Sequence, residues 1–405
     1  MSLGATSRRR LLAGLAAALV LPRVRAAPVL RWSAEPTPWA AIFRHLPPAL
    51  RRLLDEPRHQ IQIVHTTVQR DADGAPRLAH HGYRADAARW FAAASLIKLP
   101  VAVLALERAA AHAADGAARI VLDVPPAAGE WPPGEPLDQP LARSLERVFV
   151  VSDNAEYNRH YEFLGPDAIH QRLAALGYVD TRAIARIGDF NPASNRAVGG
   201  SRLLAADGTV LERHPPRRSA IARRAPQGQV LRGQGWMDGT RLVREPHDFS
   251  YRNFLPLAEA HRMVAALLYP QAFAPAQRFA LTPSLRTLLL GAMGRLPRQS
   301  RDPLFDPREF PDGWAKFLVL GDTTGPAPAW LRHVGKSGMA YGYLSESAWL
   351  ADADAGVECF LSAVVHVNAD GIYNDDRYEY EGVGLPFLGA LGRAALAAAR
   401  DARRG

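Results

Sequence analysis

Cysteine and lysine are the scarce residues of this 405-residue chain. The single cysteine, Cys359, cannot close an internal disulfide, so the fold must stand on its core. It lies in the apolar run 357–367 and reads as a small buried hydrophobe. No apolar run reaches the roughly 20 residues that a bilayer-spanning helix needs, so the mature protein is expected to carry no transmembrane anchor. The 13 histidines include the pair His80-His81, but no H-x-x-x-H or H-x-H spacing joins acids in a ligand set, and no metal is expected. There is no G-x-S-x-G elbow and no phosphate-binding glycine loop, so no cofactor is expected either.

The charge balance of +9 invites a nucleic-acid reading until its source is located. Arg8, Arg9, Arg10, Arg23 and Arg25 lie within the first 26 residues, which hold no acid, and without them the balance falls from +9 to +4. No aromatic-interleaved basic stripe exists, which argues against nucleic-acid binding. Residues 1–26 read as an export signal. Ser7-Arg8-Arg9-Arg10-Leu11-Leu12 is a twin-arginine start, 11–21 is a short apolar run, and Val24-Arg25-Ala26 offers a cleavage point. A periplasmic or secreted location follows, with export by the twin-arginine or the ordinary secretory route.

Residues 39–54 have helical spacing, 60–68 alternate as a strand, and Asp71-Ala72-Asp73-Gly74 turns into a second strand at 78–83. A long Ala/Leu-rich helix is predicted over 95–114. Further helices are predicted at 141–150, 167–176, 257–268 and 284–293, separated by long loops. Strands at 333–338, 344–352 and 357–367 precede a final amphipathic helix over 385–402. The pattern predicts an α+β fold in one domain over 27–405: an antiparallel sheet of about five strands drawn from both chain ends, flanked by helices, with a helical lobe (about 95–300) inserted. Residues 197–250 are rich in Gly, Arg and Pro and read as a solvated loop extension, with a basic contact or lid as the alternative. They belong to an extended loop region, about 197–310.

Of 49 basic residues only Lys98, Lys316 and Lys336 are lysines. Arginine keeps its proton in a protein, whereas a desolvated lysine can lose one and act as a base. Lys98 follows Ser95 by three residues, so on a helix the two share a face. Ser95 would sit in the first turn, where free N–H groups favour a developing anion. A serine hydroxyl becomes a nucleophile once a neighbouring base takes its proton. Ser152-Asp153-Asn154 offers a hydroxyl to relay protons and an amide to hold a substrate amide. Lys336-Ser337-Gly338 ends a predicted strand, with positive charge for a carboxylate and a glycine that lets substrate approach. Taken singly, each triplet also reads as a helix start, a cap or a strand end. In this order, on these elements and with two of the three lysines, they make a set.

That set resembles the β-lactamase and penicillin-binding protein superfamily, in its class A branch, and Asn158 extends the likeness as Ser152-Asp153-Asn154-x-x-x-Asn158. The resemblance implies Ser95 as nucleophile, Lys98 as proton acceptor and Ser152 as proton shuttle. It implies Asn154 as acylamide binder and Lys336 with Ser337 as carboxylate binders. Gly338 borders the substrate, and the backbone N–H groups of Ser95 and Met339 form the oxyanion hole. Two departures stand out. The loop Arg186-Ile187-Gly188-Asp189-Phe190-Asn191 is one residue short and lacks the family's glutamate, which leaves Asp189 as the candidate water-activating base between Arg186 and Asn191. On the strand after Lys336, Ser345 and Glu346 stand where an arginine often assists carboxylate binding. The expected activity is β-lactam hydrolysis through an acyl-enzyme, with deacylation slowed. A D-alanyl peptide or ester substrate is the first alternative, and a penicillin-binding module that stays acylated is the second.

Overall fold

The computed structural model describes residues 30–86, 89–225 and 230–404, so the export signal read at 1–26 lies outside the described residues. Five strands, β1 (Gln62–Arg70), β2 (Pro76–Tyr83), β3 (Leu331–Ala340), β4 (Tyr343–Asp352) and β5 (Val357–His366), form one antiparallel sheet. Their order is β3-β4-β5-β1-β2, so the N-terminal hairpin docks on the last strand of the C-terminal meander. Asp71 closes the β1–β2 turn by accepting from the Ala75 amide at 2.8 Å.

Side chains alternate between the two faces of a strand, and here each face has its own core. Ile63, Leu361, Ala363 and Val365 pack with Phe387, Leu388 and Leu391 of the C-terminal helix. Val64, Phe360 and Val364 face the inserted lobe. Helices α1 (Lys98–Ala110), α2 (Leu141–Val150), α3 (Asn154–Leu164), α4 (Pro166–Ala175), α5 (Leu257–Leu268) and α6 (Pro283–Gly294) build that lobe, and α7 (Leu385–Arg404) covers the other face. Residues Tyr380–Arg404 are long and apolar enough to cross a membrane by composition, but the apolar face of α7 is spent on the sheet. Cys359 is buried there, and burial pushes its thiol up to about 12, which leaves it inert.

Three expectations change. The helix predicted over 39–54 is broken into Trp39–Phe43, Pro48–Arg51 and a tight turn at Arg52–Asp55, because Pro47 and Pro48 cannot continue the first segment. The helix predicted from Ser95 begins at Lys98, after a 3₁₀ turn at Ala94–Ile97 that holds the serine. The middle of the chain also carries a four-stranded sheet, in the order Asp138–Pro140, Arg119–Leu122, Ser201–Leu204, Val210–His214. Strands of three to five residues are too short to declare an alternation. Residues 197–250 likewise fold into short strand pairs, and Arg217 donates to the Phe163 carbonyl while Arg223 pairs with Asp167 at 2.7 Å. This region is tied to the lobe at these points, while about half of its described residues remain exposed to solvent.

Candidate active site

The site lies between the β3 edge of the sheet and the lobe. A cleft of about 270 Å³ is lined by Ser95, Asn154, Met339, Tyr341, Glu130 and the loop 185–190, among others. Buried Trp90-Phe91-Ala92-Ala93 leads into the 3₁₀ turn, and Ala94 takes a left-handed φ of 45° that bends the chain into the helix. Such strain in a non-glycine residue gathers at functional sites, and Ser152 shows it too, with φ 62°. Gly338 explains why the strand can lie on this turn. A Cβ there would stand 2.5 Å from the Ala93 carbonyl, 2.7 Å from the Leu96 amide and 3.1 Å from the Ser95 amide.

Lys98 is fully buried on the first turn of α1, one helical turn from Ser95. Its Nζ donates to the Ser152 carbonyl and to Asn154 Oδ1, and lies 3.3 Å from Ser152 Oγ. Burial lowers this ammonium to about 7, against the opposing pull of Asp153 and Glu130. Lys336 is also fully buried, and its Nζ donates to Ser152 Oγ at 2.9 Å and to the Ser337 carbonyl at 2.7 Å. Burial, then repulsion from Lys98 and Lys316, pushes it well below an ordinary lysine, with Glu346 pulling the other way. The Ser152 hydroxyl therefore stands between two amines that burial makes easier to deprotonate than an ordinary lysine.

A buried ion network fixes the turn 152–154. Asp153 caps α3 by accepting from the Glu156 amide at 3.0 Å, and it pairs with Arg147 at 2.7 Å. Glu156 accepts from Ser144 at 2.6 Å, Arg147 at 2.9 Å and Arg159 at 3.0 Å. Burial pushes the Glu156 carboxyl up, but Arg159, Ser144 and Arg147 together hold it below its ordinary value.

Ser337 does not reach the cleft. Alternation along β3 sends Lys336 toward the lobe and its neighbour to the opposite face, where Ser337 Oγ donates to the Ala315 carbonyl at 3.1 Å. Lys336 itself forms the floor beneath Ser152, and the open wall of the cleft is Met339, Ala340 and Tyr341. Glu346 faces away as well, accepting from the Leu318 amide at 2.6 Å and meeting His333 Nε2 at 2.8 Å.

Asp189 is also corrected. Its Oδ1 accepts from the Asn191 amide at 2.9 Å, and its Oδ2 accepts from Ser194 Oγ and from Arg186 Nη1 at 3.3 Å. The side chain is 2 % exposed, so this carboxylate, although it borders the cleft, is spent on bracing the loop. Asn158 instead pins Ile187, accepting from its amide at 2.9 Å and donating to its carbonyl at 3.1 Å. Arg186 pairs with Glu162, and Asn191 caps the following turn through the Ala193 amide at 2.8 Å.

Four residues went unread in the sequence. Asn195 ties the loop by accepting from the Arg186 amide at 2.7 Å, and Tyr161 donates to the Asn195 carbonyl at 2.8 Å. Lys316 donates to the Met293 carbonyl at 2.6 Å behind β3, and burial lowers it to about 8. Its place among only three lysines was the available signal. Glu130 enters the cleft and accepts from Asn154 Nδ2 at 2.6 Å. Among the described residues, no group of three or more His, Cys, Asp or Glu is arranged to hold a metal.

Residues 50–209 match the model of the β-lactamase enzyme family. No curated protein matches the chain. Among solved structures, the chain is similar to a β-lactamase from Sphaerobacter thermophilus, at 17 % identity and TM-score 0.48, covering 88 % of this chain and 96 % of that one. It is also similar to a β-lactamase from Desulfarculus baarsii, at 18 % identity and TM-score 0.48, covering 87 % and 97 %. A third, from Xanthomonas campestris, is 15 % identical at TM-score 0.47, covering 85 % and 96 %. The matched segment carries Ser95, Lys98, Ser152 and Asn154, so the part of the chain that holds these residues is similar to the β-lactamase enzyme family.

Proposed function

We propose that the chain is an exported, periplasmic or secreted enzyme that takes β-lactams as acyl donors and forms an acyl-enzyme at Ser95. The carrying observation is the Ser152 hydroxyl held between the buried amines of Lys98 and Lys336, at the floor of the cleft that Ser95 lines. Neutral Lys98 takes the Ser95 proton, and Oγ attacks the lactam carbonyl. The oxyanion is received by the amides of Ser95 and Met339. Ser152 passes its proton to the departing nitrogen as the carbon–nitrogen bond breaks and is refilled by protonated Lys98, which returns to its neutral form, so the charge on the amine pair is conserved.

Release of the acyl group is slow in this reading. Asn158 pins the Ile187 backbone, and the Asp189 carboxylate is committed to Asn191, Ser194 and Arg186, so the loop offers no free carboxylate to activate water. The same observation favours a second reading, in which a D-alanyl peptide or an ester is the natural acyl donor.

The test is mass spectrometry of the purified mature protein with a penicillin. A mass increment located on Ser95, absent in Ser95→Ala, is expected, with an adduct lasting many minutes. Turnover of a chromogenic cephalosporin by Ser95→Ala would end the proposal.

A further inference from the structure

We infer that Glu130 makes the acyl side of this cleft selective for donors that carry an ammonium group there. This deepens the acyl-transfer reading above and rests on it.

Glu130 is exposed yet held in place. Its amide donates to the Ile187 carbonyl at 2.9 Å, and its carbonyl accepts from Asn158 Nδ2 at 3.0 Å. Gly188 packs so closely that a Cβ there would stand 2.7 Å from Glu130 Cγ. The carboxylate is thus delivered to the cleft by a segment fastened on two sides.

The amide it meets is held at both ends. Asn154 Oδ1 accepts from Lys98, which fixes the amide's orientation and turns Nδ2 toward Glu130 Oε2. A neutral acylamide oxygen arriving at Asn154 can accept only from the second Nδ2 hydrogen, beside a carboxylate that repels it. A cationic donor is not repelled, because it pairs with the carboxylate directly.

The neighbourhood shows how unusual this carboxylate is. Glu135 and Asp153 pair with Arg147, Glu156 with Arg159, and Glu162 and Asp189 with Arg186. Among the described residues, the Glu130 carboxylate has Asn154 Nδ2 as its hydrogen-bond partner and no arginine or lysine within ion-pair distance. The other ionisable groups of the cleft are the buried Lys98 and Lys336 at its floor, the paired Arg186 and Asp189, and Arg252, whose guanidinium lies 4.1 Å from the Phe190 ring centre. An arginine-rich chain that neutralises each of these nearby acids leaves this one facing the substrate.

The experiment uses two penicillins that differ only by an α-ammonium on the side chain, at a pH where that amine is charged. Labelling rates at Ser95 are read by mass spectrometry for the full chain and for Glu130→Gln. The ammonium-bearing penicillin is expected to label about tenfold faster, the factor given by one charge-assisted contact. In Glu130→Gln the ratio of the two rates, which cancels any general effect on the site, is expected to fall close to one. A ratio near one in the unsubstituted chain overturns the inference. So does a preference that survives the substitution, including one accompanied by a longer-lived adduct, which would make Glu130 a water-activating group instead. If neither penicillin labels Ser95, the acyl-transfer reading falls and this inference falls with it.

Discussion

Gly338→Ala tests the contact between β3 and the nucleophile turn. The added Cβ would stand 2.5 Å from the Ala93 carbonyl, whereas ordinary contact begins at 3.4 Å, so about 0.9 Å must be found. The atoms it meets are backbone of the Ala93–Leu96 turn, with no flexible side-chain end to swing aside. Either β3 or the turn moves, and both carry a proposed oxyanion donor, at Met339 and Ser95. A misplacement near 1 Å at reacting groups costs roughly 10²-fold in rate. Overpacking costs about 1–3 kcal/mol in stability. The assay is the rate of Ser95 labelling by a penicillin, beside the thermal midpoint of the same sample. The expected result is a labelling rate reduced about a hundredfold with the fold retained. Labelling at the unsubstituted rate would show that the turn does not need its present spacing from β3, and would remove Gly338 and Met339 from the site.

Lys98→Arg keeps the charge but removes a group able to lose its proton, so acylation should fall by about 10²–10⁴, measured by the same labelling rate. Because the useful form of Lys98 is the neutral one and burial lowers it to about 7, acylation by the intact chain should rise with pH through about 7 and then level off. A rate flat from pH 5 to 9 would point to another base. Asp189→Asn should lower stability by about 1–3 kcal/mol, seen in the thermal midpoint, because Ser194 and Arg186 lose a charged acceptor. A greatly prolonged adduct with an unchanged midpoint would return Asp189 to water activation. Glu156→Ala should cost about 3 kcal/mol in denaturant unfolding, since buried Arg159 loses its nearest carboxylate, while Arg147 keeps Asp153 and Glu135.

The sequence by itself determined the two-ended sheet, since the alternation at 60–68, the apolar run at 357–367 and the turn at Asp71–Gly74 are local signals that tertiary packing had no reason to override. It also marked Lys98 and Lys336, because lysine is rare here and a buried base cannot be arginine. Tertiary structure decided what those residues face. Ser337 and Lys336 are adjacent in sequence, and only the packing of β3 shows that one serves the cleft floor and the other the far side. Asp189 looked available because a loop acid is usually exposed, yet Arg186 and Ser194 consume it. Glu130 lay among prolines and glycines in an unremarked loop, and its meeting with Asn154 depends on Asn158 and Gly188 fastening two distant loops together. Local periodicity follows from the backbone's own geometry, whereas the direction of a side chain toward a partner far along the chain is set only when both elements are packed.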